Sequence, residues 1–179
     1  MAVIDRVLVG EALVVENRPN LENCPDLRNV AHIDLIMGPR GSTAEEAFCR
    51  TLTDQKVGVN GLLALIAPNL PCKPATVMFN KVTIKNEKQA VQMFGPAQHG
   101  IAKAVMDCVV DGTIPKDEVD DIFICVGVYI SARADMDERV QEWNYLAMKQ
   151  AIKSAVNREP KLETILAQYQ ETRHPFQAK

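Results

Sequence analysis

No apolar run in this sequence approaches the roughly 20 residues of a membrane-crossing helix, so no stretch of it reads as a helical span and no membrane partner is expected. The amino terminus, MAVIDRVLVGEALVV, carries an early Asp5 and none of the organisation of a signal peptide, and the expectation is a cytoplasmic protein. Cysteine is sparse: Cys24, Cys49, Cys72, Cys108 and Cys125 are odd in number, lie far apart and include no C-x-x-C pair. That argues against a disulfide framework and against a zinc site, and it leaves Cys108 and Cys125, set in apolar patterns, as core residues. The three histidines, His32, His99 and His174, lack H-E-x-x-H spacing, which excludes a helical His pair for a metal. A formal charge of −3, a pI near 5.6 and the want of a basic, aromatic-studded stripe argue against nucleic acid as a partner.

What remains is a chain of 179 residues, 47% hydrophobic and 24% charged, able to bury a core as one domain over residues 1–179. Residues 3–15 are rich in β-branched side chains and read as a strand or strand pair, with Gly10 as a bulge or bend. Residues 16–29, ENRPNLENCPDLRN, read as a loop, long for a compact domain. After an alternating segment, VAHIDLIMG, the glycines of GPRGS turn the chain into a helix running to about residue 55, with Ser42 and Glu45 at capping-box spacing. Residues 62–67 form an apolar run that reads as a buried strand closed by Pro68. A FGP turn leads into a helix over residues 97–111 with Gly112 as its C-cap. Residues 122–130 read as a central strand, and residues 135–157 as the longest helix, with Val140, Trp143, Ala147, Ala151 and Ala155 as its inner stripe. A short helix is expected near Lys161, followed by an irregular tail. Adjacent strands interspersed with helices point to α+β: one sheet with helices packed on a face.

Two stretches carry candidate chemistry. In VAHIDLIMG, Ala31, Ile33, Leu35 and Met37 alternate onto one face, which leaves His32, Asp34 and Ile36 on the other. A His and an Asp two apart on a strand face are neighbours, and the carboxylate can orient the imidazole or hold its proton. The pair also suits a half-exposed surface with no further role. Residues 67–100 hold four lysines, Lys73, Lys81, Lys85 and Lys88, against Glu87 alone, a local positive field on an acidic chain. Residues 76–84 read as a strand with Met78, Val82 and Ile84 on one face and Val77, Phe79, Lys81, Thr83 and Lys85 on the other. An ammonium and a hydroxyl side by side with an aromatic ring fit a binding floor; an edge strand guarded by lysine is the other reading. Gln98 and His99 fall in the first turn of the helix that follows, where exposed N–H groups can meet a ligand.

The strings VGEALV, AHIDLIMGPRGS, LIAPNLPCKPATVMFNKVTI and QAVQMFGPAQHG, with WNY and HPF further on, resemble the formaldehyde-activating enzyme family over most of the chain. The resemblance implies condensation of formaldehyde with tetrahydromethanopterin, or its dephospho form, to the 5,10-methylene derivative and water. It implies no metal and no covalently bound cofactor. It also implies a homopentamer with ligand sites between subunits, and a mixed sheet like that of a ribosomal protein domain, with a left-handed βαβ crossover. By position, the family's proton donor falls on His32 and its pterin contacts on Asp34, Leu63, Lys81, Thr83 and Gln98. The chain departs from the family at residues 16–29, which look like an insertion. That departure keeps a second function open, a non-catalytic paralogue that binds a pterin or senses formaldehyde.

Overall fold

The computed structural model describes residues 3–16 and 26–172. Strands β1 (Leu8–Glu16) and β2 (Asp26–Pro39) pair antiparallel at one edge of the sheet; α1 (Thr43–Thr53) follows, then β3 (Gly61–Leu63), β4 (Leu65–Ala67), β5 (Leu70–Pro71) and β6 (Ala75–Asn80). A continuous helical stretch, α2 (Glu87–Gln92), a π-helical turn (Met93–Ala97) and α3 (Gln98–Val110), carries the chain back to β7 (Ile122–Ile130), and α4 (Asp137–Asn157) and α5 (Leu162–Gln168) close it. The five-stranded sheet has the order β1-β2-β7-β6-β3; β6 and β7 run parallel and the other pairs antiparallel, so the sheet is mixed and the class is α+β. The helical crossover between β6 and β7 forms the βαβ unit.

The alternation in β2 sets the layers. Ala31, Ile33, Leu35 and Met37 are buried with Ile124, Val126 and Val128 of β7 against α3 and α4, whose Ile101, Val105, Ala147, Met148, Ala151 and Ile152 complete the main core. The inner stripe of α4 is as the sequence periodicity places it, except that Trp143 is only partly buried. Polar groups tie α3 to α4 at its rim: Tyr145 Oη donates to Asp107 at 2.8 Å, and Lys149 and Lys153 each lie 3.5 Å from Asp111. Helix α1 lies on the opposite face, where Phe48 packs with Val77 and Cys125 in a smaller cluster. The helices therefore cover all of one face and only one end of the other.

Several local expectations change. Gly10 makes no bulge, since β1 pairs with β2 in unbroken register from Leu8 to Val15. A Cβ there would collide with the carbonyl of Ala151, so this glycine lets α4 approach the strand closely. Residues 62–67 are two short strands, β3 in the main sheet and β4 paired with β5, rather than one buried strand. The FGP sequence does not break the helix; the wider π-helical turn accommodates Pro96, which has no N–H to donate. Residues 26–29 belong to β2, so the β1–β2 connection is residues 17–25, outside the described residues along with most of the expected insertion, Cys24 and the tail from residue 173. Ser42 caps α1 by accepting from the Ala44 N–H, while Glu45 reaches back to the Gly41 N–H at 2.6 Å, one residue earlier than a capping box requires.

Candidate active site

The end of the sheet face that α1 leaves open carries the charged cluster. Strand register fixes its members: in β2, Asp34 lies opposite Glu11 of β1 and Gly127 of β7, and His32 lies opposite Leu13 and Tyr129. The imidazole Nε2 is 3.1 Å from Glu11 Oε1 and 3.3 Å from Asp34 Oδ1, while Nδ1 is 3.3 Å from Lys81 Nζ. Lys81 also donates to Asp34 Oδ2, which makes the Asp34–Lys81 ion pair the bridge between β2 and the end of β6. An ammonium has hydrogens and no lone pair, so Nδ1 accepts from Lys81 and the ring hydrogen of neutral His32 sits on Nε2, toward the two carboxylates. The face is open: side-chain exposure is 36% at His32, 50% at Asp34 and 22% at Lys81.

Lys81 reaches this position because of a residue the sequence reading did not select. Its backbone N–H donates to Val128 O at 2.8 Å, one residue beyond the paired part of β6, and its side chain then runs across β7. It crosses at Gly127, where an added Cβ would stand 3.0 Å from Lys81 Cγ and 3.0 Å from Phe79 Cζ. The signal was present in IFICVGVYI, since a glycine inside a β-branched strand marks a close approach. Glu11 was also missed; its place beside His32 depends on β1–β2 register, which no local pattern reveals.

The expected strand over residues 76–84 ends at Asn80, and the side-by-side placement of Lys81 and Thr83 ends with it. Asn80, 4% exposed, ties off the strand: its amide donates to Gly58 O at 2.6 Å and Val82 O at 2.8 Å and accepts from the Asn60 N–H at 2.9 Å. Thr83 is exposed, sits against the turn at Gly58, and lines a neighbouring cleft with Lys85 and Tyr129. Leu63 and Gln98 form a separate pair, the Gln98 amide donating to Leu63 O at 2.8 Å. Leu63 pairs with Val77, and Lys81 lies four residues further on, about 13 Å at the usual strand rise. One chain thus brings together His32, Asp34 and Lys81, sets Thr83 in the neighbouring cleft, and leaves Leu63 and Gln98 apart. Gln98 does not lie in a first turn with free N–H groups, because the helical stretch begins at Glu87; His99 is exposed.

Cys125, on the same sheet face under α1, is no nucleophile. Burial pushes its thiol up, against a smaller opposing effect of Thr51, whose Oγ1 lies 3.3 Å from the sulfur. Glu11, His32 and Asp34 present one possible ligand atom each within 4.8 Å of one another. These donor types suit a divalent cation. The Lys81 ammonium already neutralises Asp34, and a metal ion there would meet it as a like charge.

An imidazole held between two carboxylates and an ammonium, on an open face with the nearby thiol buried, is the equipment of an acid–base enzyme built on an α+β sheet. Comparison with known proteins makes the class specific. The family model described as formaldehyde-activating enzyme matches residues 9–177, and the chain belongs to that family. It is 47% identical over 169 residues to the 5,6,7,8-tetrahydromethanopterin hydro-lyase of Methanosarcina barkeri, covering 94% of this chain and 89% of that protein. It is 43% identical over 166 residues to the bifunctional enzyme Fae/Hps of Methanosarcina mazei, and 39% identical over 168 residues to that of Archaeoglobus fulgidus. In each of these two the match spans only 40% of the longer protein.

Proposed function

We propose that this chain condenses formaldehyde with tetrahydromethanopterin to the 5,10-methylene derivative and water, as a lyase of the formaldehyde-activating type. The observation that carries the reading is the placement of His32 between Glu11, Asp34 and Lys81 on an accessible face of the sheet. Addition of a pterin nitrogen to formaldehyde gives a carbinolamine. Its hydroxyl must leave as water to form an iminium carbon, which the second nitrogen attacks to close the ring. Hydroxide is a poor leaving group, so a proton must reach that oxygen as the C–O bond breaks. His32 gives it as the imidazolium, and the proton released from the second nitrogen on ring closure restores that form. A positioned acid contributes roughly 10²–10⁴-fold, and holding amine and aldehyde together supplies much of the rest. Asp34 orients His32, and Lys81 acts as a hydrogen-bond donor to the pterin. Its ion pair with Asp34 opposes imine formation with formaldehyde, which needs the free amine. Formaldehyde is electrophilic without a Lewis acid, so the mechanism needs no metal.

Leu63 and Gln98 belong to the same pterin site in this reading, contributed across a subunit boundary in a homopentamer. Support comes from their separation from His32 within one chain and from apolar surface left uncovered among the described residues. Val9 is 72% exposed beside the charged cluster, and α5 exposes Leu162, Ile165 and Leu166. Sedimentation analysis is expected to give a pentamer.

The decisive assay is formation of the methylene product from formaldehyde and tetrahydromethanopterin, against the uncatalysed rate, with pterin binding measured in parallel. Enhancement supports the enzyme. Tight pterin binding without enhancement supports a receptor that has kept the site and lost the reaction.

A further inference from the structure

Beside the charged cluster, and sharing its wall, lies a second cleft of about 410 Å³, lined in part by Thr83, Tyr129, Arg28, Lys85 and Arg133. Tyr129 is the β7 residue in register with His32, so one lining residue of the cleft is the cross-strand neighbour of the proposed acid. Its three cations come from three separate segments: the start of β2, the turn before α2, and the connection that follows β7.

These segments are fixed to one another. Gln89, 3% exposed, accepts from the Lys85 N–H at 2.7 Å through its side-chain oxygen and donates its amide to Ile130 O at 2.7 Å. Asn86 Nδ2 donates to Ala132 O at 3.4 Å and Lys88 Nζ to Asp135 O at 3.3 Å, and the Arg133 N–H donates to Ser131 Oγ at 3.2 Å. Arg28 lies 3.8 Å from the carboxylate of Asp135 at this rim. Among the described residues, the lining brings Arg28, Lys85 and Arg133 together with the carboxylate of Asp135, on a chain whose total charge is negative. Such a local excess of positive charge, with two guanidinium forks among the donors, is suited to a phosphate, whose oxygens accept charge-assisted hydrogen bonds from several sides.

We propose that this cleft is an anion subsite that holds the phosphate of the pterin cosubstrate and selects tetrahydromethanopterin over its dephospho form. The inference rests on the function proposed above, since it takes the molecule reacting at His32 to extend past Tyr129 and Thr83 into the cleft. Arg133 and Lys85 bind the phosphate directly. Arg28, already paired with Asp135, closes the third side.

Equilibrium binding of the two pterins, without formaldehyde, tests it. The parent protein is expected to bind the phosphorylated form about tenfold or more tightly at low ionic strength, as charged hydrogen bonds to a phosphate imply. That preference should shrink as salt is raised. Replacing Arg133→Ala together with Lys85→Ala is expected to bring the two affinities together, and Arg133→Glu to reverse the salt dependence of the preference. All these side chains are exposed, and unchanged thermal melting of the variants verifies that they fold. Equal affinity of the parent for both pterins, or a preference that survives both substitutions, overturns the subsite and leaves the proposed function standing. Failure of the parent to bind either pterin overturns the two together.

Discussion

On the face of the sheet beneath α3 and α4, Ile33, Leu35 and Met37 are at most 1% exposed and belong to the apolar main core. On the opposite face, one residue away along the same strand, His32 and Asp34 are open to solvent, His32 lying 3.1 Å from Glu11 and Asp34 forming an ion pair with Lys81. Strand β2 serves both faces because successive side chains point in opposite directions. The dry face holds the strands in place, and the register it enforces brings Glu11, Asp34 and Gly127 into one row. The open face contributes little to stability, since half-exposed ion pairs are worth about 0–1 kcal/mol at the surface. What it gains from the core is positional: Glu11, His32 and Asp34 sit on paired strands, and Lys81 follows the last residue of β6, its N–H bonded to Val128 O.

The separation can be broken first from the dry side. Ile33→Ala removes a fully buried side chain and is expected to lower unfolding free energy by about 2–5 kcal/mol in denaturant titrations. At temperatures where it remains folded, its kcat should stay close to that of the parent. Next in size is Gly127→Ala. The added methyl must displace Lys81 or Phe79, and misplacing a positioning group costs on the order of tenfold to hundredfold in kcat/KM. Circular dichroism should show the fold retained, because the new atom points to the open face.

Acid titration sharpens the contrast at the other side of the sheet, where α3 meets α4. Hydrogen bonds from Thr113, with Lys153 and Lys149 nearby, hold the Asp111 carboxyl down from 3.8 to about 2. Lys103 and then Tyr145 lower that of Asp107. A depressed carboxyl contributes stability that is fully present above its unfolded pKa and is lost as pH falls through the folded value. Melting temperature should therefore begin to drop below about pH 4 and continue toward pH 2, as the Thr113 bonds to Asp111 and the Lys103 and Tyr145 bonds to Asp107 are lost. The smallest effect concerns thiols. Cys49 is exposed, whereas Cys72, Cys108 and Cys125 are buried, and burial pushes Cys108 up to about 11. An aqueous thiol reagent should label Cys49 in the native protein and the buried three only after unfolding, as mass spectrometry of the peptides will show.

Much of this contrast was legible in the amino-acid order. The split of β2 into Ala31, Ile33, Leu35 and Met37 against His32, Asp34 and Ile36 follows from strand periodicity alone, the central strand follows from an apolar run, and the long helix from its apolar stripe at helical spacing. The pairing of Lys81 with Thr83 was not, because alternation holds only while the strand lasts and Asn80 ends it through two tertiary hydrogen bonds, to Gly58 and Asn60, and a local one to Val82. Glu11 reaches His32 through register, and Lys81 reaches Asp34 over a glycine on a third strand; both depend on which strands are neighbours. The family resemblance named Leu63 and Gln98, whose distance from His32 within one chain is a tertiary fact. The π-helical turn at residues 93–97 was hidden because glycine and proline locally signal a turn, and only packing of the flanking helices overrides that signal.

The proposed reaction depends on His32 as the acid of the open face. Its most direct test is kcat for methylene-product formation by His32→Ala at saturating pterin, with the pterin dissociation constant measured on the same preparation. We expect kcat to fall by roughly 10²–10⁴-fold with binding and melting temperature little changed. A variant that binds pterin and turns over at the parent rate would contradict the account.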